Sequence, residues 1–220
     1  MIRLEHLYKS FRTKKGPKYV ARDVTATFPS GVSVALLGRN GAGKSTMMQM
    51  IGGSERPDSG NIHITGSMSW PVGFAGSFHR DLTGAQNVRF IARVYGVDTE
   101  ELIAFVEDFA ELGAHFHLPV RSYSSGMKSR LAFGVSIGIP FDTYLVDEVT
   151  SVGDASFRQK SRLVFRERMR GAGAVVVTHS MAEVRTLCTA GAVLEDGTLT
   201  YFDDVEEAIA LHHANMGTTG

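Results

Sequence analysis

Residues 38–46 read GRNGAGKST, which places Gly38, Gly43, Lys44 and Ser45 at the fixed positions of the phosphate-binding pattern G-x-x-x-x-G-K-[ST]. Glycines let a backbone curl until successive N–H groups converge on phosphate oxygens. A helix starting just beyond them adds its positive end. Asn40, Gly41 and Thr46 belong to the same phosphate-binding loop. Lys44 would reach the β- and γ-phosphates, and Ser45 would offer its hydroxyl to magnesium. Far downstream, residues 144–148 read YLVDE, an apolar run ending in two acids. Asp147 would hold Mg2+ directly or through water, and Glu148 would orient and activate an attacking water. A third run, VVVTH at residues 175–179, ends in His179. A lone histidine there is commonly a capped or core residue. Beside the other two elements it would hold the transition state or sense the γ-phosphate. The three together predict nucleotide binding with phosphoryl chemistry.

Such groups act only if strands and helices bring them together. Ser33–Leu37 predicts a buried parallel strand feeding the loop, and Lys44–Ile51 a helix leaving it. Thr143–Val146 and Ala174–Val177 predict strands that deliver Asp147 and His179. The alternation over Met1–Phe28 predicts strands with an exposed loop at Thr13–Lys18, and Asn61–Thr65 adds another strand. From about Leu82 to Ile139 the spacing turns helical. Val88, Ile91, Ala92 and Tyr95 form one stripe, and Leu102, Phe105, Val106 and Phe109 another. Asp196-Gly197 predicts a hairpin turn, and Val205–His213 a last helix. The pattern is one domain over residues 1–220: an α/β body (1–80 and 141–220) interrupted by a helical subdomain (81–140).

Composition narrows the function classes. The chain has 23 basic and 23 acidic residues, so no global basic excess favours nucleic acid. A single cysteine, Cys188, excludes an intramolecular disulfide. No uncharged apolar run approaches the ~20 residues of a membrane span, and the charged N-terminus is unlike a signal peptide; both predict a cytoplasmic location. His115, His117, His212 and His213 lack companions at metal-ligand spacing and read as surface residues.

Between the two halves of the phosphate site lies Tyr123-Ser124-Ser125-Gly126-Met127. It resembles the signature of ABC transporter ATPases, usually LSGGQ. Ser124 and Gly126 match; Tyr123, Ser125 and Met127 depart. The resemblance extends over essentially the whole chain. It implies an α/β fold, a P-loop NTPase (RecA-like) body with an antiparallel β subdomain and a helical ABC insert. It further implies ATP and Mg2+ as ligands, and a second copy in a head-to-tail, ATP-sandwich dimer. In that dimer Ser124 and Gly126 of one copy cap the γ-phosphate on the other, and Ser151-Val152-Gly153-Asp154 make a cross-dimer contact. Lys44, Glu148 and His179 take catalytic roles. Phe11 is the residue expected to stack on adenine, with Tyr19 as runner-up. The family's glutamine at the start of the loop into the insert has no counterpart, because Gln86 comes too late.

Trp70-Pro71-Val72-Gly73, Leu82-Thr83-Gly84 and Val146-Asp147-Glu148-Val149-Thr150 with Val152-Gly153-Asp154 are similar to the capsular polysaccharide exporter subgroup, the KpsT-type ATPases. The end of the sequence at Gly220 is expected to favour that subgroup over O-antigen exporters, which often carry an extra glycan-binding domain. The implied activity is ATP hydrolysis that drives capsule export from the cytoplasmic face of the inner membrane. The implied partners are integral membrane permease subunits, not nucleic acid. Export of another surface glycan, of O-antigen or teichoic acid type, is the alternative. A groove from Trp70 to Leu82, with Phe74 and Phe78, is expected to receive a helix of the membrane partner; its aromatics could instead simply pack the insert on the body. A soluble P-loop kinase would not need the signature. A DNA-maintenance ATPase would be split by a long coiled coil, and no heptad series occurs.

Overall fold

The computed structural model of the chain describes residues 1–14, 16–73, 76, 78–147 and 154–217. It divides into two compact units. One comprises Met1–Ser69, Phe141–Glu148 and Met169–Gly220, and the other Trp70–Pro140 and Val149–Arg168.

The first unit carries the α/β body. Strands β1 (Ile2–Thr13) and β2 (Gly16–Phe28) form a long antiparallel hairpin, and β4 (Ser59–Ile64) pairs with the other edge of β1. A second sheet runs in the order β5-β6-β7-β3-β8-β9. Its strands are β3 (Ser33–Leu37), β5 (Met68–Pro71), β6 (Thr143–Asp147), β7 (Gly173–Val177), β8 (Ala190–Glu195) and β9 (Thr198–Phe202). β6, β7, β3 and β8 are mutually parallel, whereas β9 returns antiparallel. The sequences explain the placement. Every residue of GAVVV in β7 is buried, as is nearly all of SVALL in β3, and a strand covered on both faces needs such an unbroken apolar run. The β8–β9 turn puts Asp196 and Gly197 at positive φ (47° and 82°), as a two-residue hairpin requires. Ile2, Leu4, Val20, Val24 and Phe28 of the small sheet share one core with Val34, Leu36, Met47, Met48 and Leu145. Helix α1 (Lys44–Ile51) contributes those methionines; α6 (Met181–Leu187) and α7 (Val205–Gly217) complete the unit.

The hairpin turn and the last helix differ from the sequence expectation. The hairpin strands continue to Thr13 and resume at Gly16, where the Thr13 hydroxyl donates to the Gly16 carbonyl (2.7 Å). Lys18 therefore lies in β2, not in a loop. The final helix runs four residues beyond His213, and His212 on it is buried, 9% exposed, not at the surface.

The second unit is helical: α2 (Gly84–Tyr95), α3 (Thr99–Ala110), α4 (Ser125–Gly138) and α5 (Ala155–Met169), the last residue of which falls in the first unit. Thr83 caps α2 reciprocally with Gln86, so the side chain of Gln86 is spent on the helix end. Asp98 caps α3. The core centres on Phe109, whose ring lies 5.8 Å from Phe133 and 5.3 Å from Phe157. Those contacts, with the Lys160 ammonium bonded to the Phe109 carbonyl and Glu111, are why α5 clusters with the insert. The unit also begins at Trp70 rather than near residue 80, because Trp70 packs on Tyr95 (5.1 Å). Val88, Ile91 and Ala92 are buried as their spacing predicts, but Tyr95 is 44% exposed.

Candidate functional site

The site is built at the carboxyl ends of β3, β7 and β6, which lie side by side in the sheet, the edge where open parallel sheets bind ligands. β3 runs into the glycine loop. Gly38 is buried and φ is 153°; a Cβ there would lie 2.3 Å from the Leu194 carbonyl oxygen of β8, so the loop leaves the sheet in backbone contact with the next strand. The turn closes through the Ala42 amide donating to the Arg39 carbonyl (3.0 Å). Gly43, at φ 109° and ψ 15°, starts α1 with no side-chain cap. The first N–H groups of that helix are left to face the cavity, as an anion-binding helix end requires. The Lys44 ammonium arches back over the loop and donates to the carbonyls of Gly38 (2.7 Å) and Arg39 (3.1 Å).

A cavity of about 560 Å³ opens over this loop. Asn40, Gly41, Gly43, Lys44, Ser45 and Thr46 line its floor. Asp147 enters from the end of β6 and His179 from beyond β7, because Asp147 pairs in register with Val177. Phe11 closes the far side; Tyr19 does not line this cavity. The register gives the reason. Phe11 pairs with Lys18 and Ser10 with Tyr19, so Phe11 and Lys18 share one face of the hairpin and Tyr19 takes the other, where Arg22 lies over its ring (4.1 Å).

Nine of the sequence candidates thus meet around one cavity, and Gly38 supports it from beneath. Glu148 and residues 151–153 lie outside the described residues. Lys18 and Val20 also line the cavity and were not singled out in the sequence. The only signal was their i, i+2 spacing on the hairpin, which has no meaning until the register with Phe11 is known.

Ser124 and Gly126 belong to the helical unit and line a separate cavity of about 460 Å³, together with Arg130 and Asp154. Ser124 caps α4, its Oγ accepting from the Met127 amide (3.2 Å). Tyr123, where the signature usually has leucine, is 5% exposed and donates its hydroxyl to the His115 carbonyl (2.7 Å). Burial pushes its phenol above the usual range, so it acts as an apolar filler with one satisfied polar atom. The Phe157 amide and the Arg130 guanidinium hold the Asp154 carboxyl below the usual carboxylate range. Of the expected groove, Phe74 lies outside the described residues and Phe78 is half-buried. His115 and His117 are exposed, and the described residues contain no cluster of metal-ligating side chains.

Comparison with known proteins shows the family and the fold. The family model described as ABC transporter matches residues 21–151. The chain is 49% identical to the polysialic acid transport ATP-binding protein KpsT of Escherichia coli, over 95% of each chain. It is 42% identical to the capsule polysaccharide export ATP-binding protein CtrD of Neisseria meningitidis serogroup B, over 97% of this chain and 99% of that one. Its fold matches a dimeric, post-hydrolysis structure of the ATP-binding cassette MJ0796 bound to ADP and Pi. That match has a TM-score of 0.75 at 21% identity and covers 93% of this chain and 99% of the other. The family model covers more than half of the chain and the relatives match nearly all of it: the chain belongs to the ABC transporter family.

Proposed function

We propose that this chain is the ATP-binding and ATP-hydrolysing subunit of an exporter for capsular polysaccharide. It would act as a peripheral subunit on the cytoplasmic face of the inner membrane. The observation that carries the reading is the convergence of Lys44, Ser45, Asp147 and His179 on one cavity that Phe11 closes. ATP fits it in parts. Phe11 offers its ring to the adenine; the loop amides and Lys44 hold the β- and γ-phosphates. Asn40, Gly41, Gly43 and Thr46 shape that cradle. Ser45 and Asp147 are hard oxygen donors, the kind Mg2+ takes with waters and phosphate oxygens, and the bound ion would neutralise charge on the phosphates. Glu148, following Asp147, would accept a proton from the attacking water, and His179 would steady the γ-phosphate.

Ser124 caps the start of α4, and it lines a cavity there with Gly126, which supports both residues facing the γ-phosphate of a second copy in a head-to-tail dimer. ATP would then close the pair by contacts that hydrolysis removes. No helix among the described residues is long and apolar enough to cross a membrane, so the reading assigns transport itself to permease subunits. Phe90 and Val94, one turn apart on α2 and 60% and 61% exposed, support a protein partner against the helical unit. The capsular cargo rests on likeness to KpsT and CtrD.

The test replaces the chromosomal copy with Glu148→Gln and measures polysaccharide at the surface and in the cytoplasm. Loss of surface polymer with accumulation inside is the expected result. Unchanged surface polymer, with the purified variant inactive toward ATP, would discard capsule as the cargo. Full ATP turnover in that variant would discard Glu148 as the base.

A further inference from the structure

The phosphate loop already has its motif lysine, yet a second lysine reaches the same loop from the hairpin. Lys18 pairs in register with Phe11 on the antiparallel strand, so both project from one face, and both line the nucleotide cavity with Lys44. Val20, two residues on, is on that face as well. The Lys18 ammonium ends at the glycine loop: its Nζ is 3.3 Å from where a Cβ on Gly41 would sit. Gly41 has φ +81°, so the absence of a side chain both permits the loop turn and leaves that space to the ammonium.

Two other lysines of this unit, Lys9 and Lys44, are placed differently. Lys9 is buried and held by Glu55 and the Arg56 carbonyl (2.7 Å), and the Glu55 carboxylate, with Asp58 beside it, raises its pKa. Lys44 donates to the Gly38 and Arg39 carbonyls. Lys18 is exposed, and among the described residues no carboxylate pairs with it. Asp147 is the one carboxylate on the described lining of the cavity, against Lys18 and Lys44; Lys18 also borders a neighbouring cavity with Glu195 and Asp196, neither of which forms an ion pair with it. A flexible, strongly hydrated ammonium held there without an acidic partner suits a polyphosphate.

We infer that Lys18 is a nucleotide-binding residue of this chain: a second cation, supplied by the β-hairpin, that grips the phosphate tail of ATP from the side opposite Lys44. The inference rests on the nucleotide reading of the cavity. It makes the hairpin part of the phosphate grip as well as the adenine platform, so base and phosphates are recognised by neighbouring side chains of one rigid ladder.

The test titrates the full-length protein with a fluorescent N-methylanthraniloyl ATP at low and high salt, comparing wild type with Lys18→Met and Lys18→Arg. Lys18→Met should raise the Kd about tenfold at low salt, the size of one charge-assisted hydrogen bond. Added salt should narrow that gap to about threefold, because an exposed charge is screened. Lys18→Arg should stay within about twofold of wild type at both. Because Lys18 is exposed, the melting temperatures should coincide, which separates lost contact from lost fold. If wild type binds and Lys18→Met binds equally well, the inference is overturned and the nucleotide site stands. A loss that salt leaves unchanged, or that arginine fails to restore, overturns it too. If wild type binds no ATP, the nucleotide reading itself falls and the inference with it.

Discussion

Gly43 links hairpin, loop and helix, and its replacement by alanine tests whether their fit is as tight as the structure shows. A Cβ at Gly43 would lie 2.6 Å from Val20 Cγ1 and 2.9 Å from Cγ2, and φ there is +109°. Gly43→Ala therefore has two separable costs. The left-handed backbone costs an alanine roughly 1–2 kcal/mol, and overpacking against a buried valine roughly 1–3 kcal/mol. Val20 is 2% exposed. Val20→Ala removes two buried methyl groups at about 0.8 kcal/mol each and leaves some cavity, for a cost of about 2 kcal/mol. If the two changes were independent, the double variant would lose the sum, about 4–7 kcal/mol. The structure says otherwise. Removing the Val20 methyls takes away the two shortest overlaps and leaves only the Cβ of residue 20, 3.1 Å from the new one, so most of the overpacking is relieved, the cavity is partly filled, and the backbone cost stays in full. The double variant should retain at least about 1 kcal/mol more stability than the sum, a coupling well above the usual scatter of distant pairs. Urea unfolding of the four proteins measures it, and ATP affinity should follow the same order. Additivity within about 0.3 kcal/mol would refute the argument, because it would mean the loop yields freely to the hairpin.

Two further perturbations probe the body and the insert. Asn87 is 2% exposed; its Oδ1 accepts from the His79 amide (2.8 Å) and its Nδ2 donates to the His79 and Thr83 carbonyls (3.1 and 2.9 Å). Asn87→Leu should cost about 3 kcal/mol by stranding those backbone groups, lowering the melting temperature by roughly 6–12 °C; a shift under about 2 °C would show that water replaces the amide. Burial, followed by the positive charges of His213 and Lys44, pushes the His212 imidazole below the ordinary 6.5, while Glu195 acts the other way. The unfolded chain then takes up the proton first, so His212 contributes fully above about pH 6.5 and progressively less as pH falls toward its lowered value. A melting curve measured from pH 7.5 to 5 should fall less steeply in His212→Leu than in wild type, and parallel curves would contradict the buried placement.

Local signals were enough for the elements that flank the glycine loop. The strand Ser33–Leu37 and the helix Lys44–Ile51 were legible to the residue, because a continuous apolar run, three glycines and a helical start leave the backbone few alternatives. The pairing of Lys18 with Phe11 was not, since it depends on where the turn closes, and a one-residue slip would have sent Tyr19 to the cavity instead. Tyr95 follows the apolar stripe of α2 by spacing, but whether a stripe position meets a neighbour depends on what packs there. His212 reads as a surface residue from its lack of companions at metal-ligand spacing; its burial comes from the packing of α7 on β8 and β3. Helix α5 joins the insert through aromatic contacts from distant parts of the chain, which no window of sequence contains.

The sequence by itself carried the motifs: a phosphate-loop pattern, an acid pair, a histidine after an apolar run and a likeness to the family signature, each legible within a short window of residues. Only the tertiary structure decided which side chains share a cavity. The parallel order β6-β7-β3 brings Asp147, His179 and Lys44 to one edge, and the hairpin register sends Phe11 and Lys18 there while turning Tyr19 away. Both are long-range pairings, fixed by the burial of whole sheet faces rather than by the preference of any residue in them.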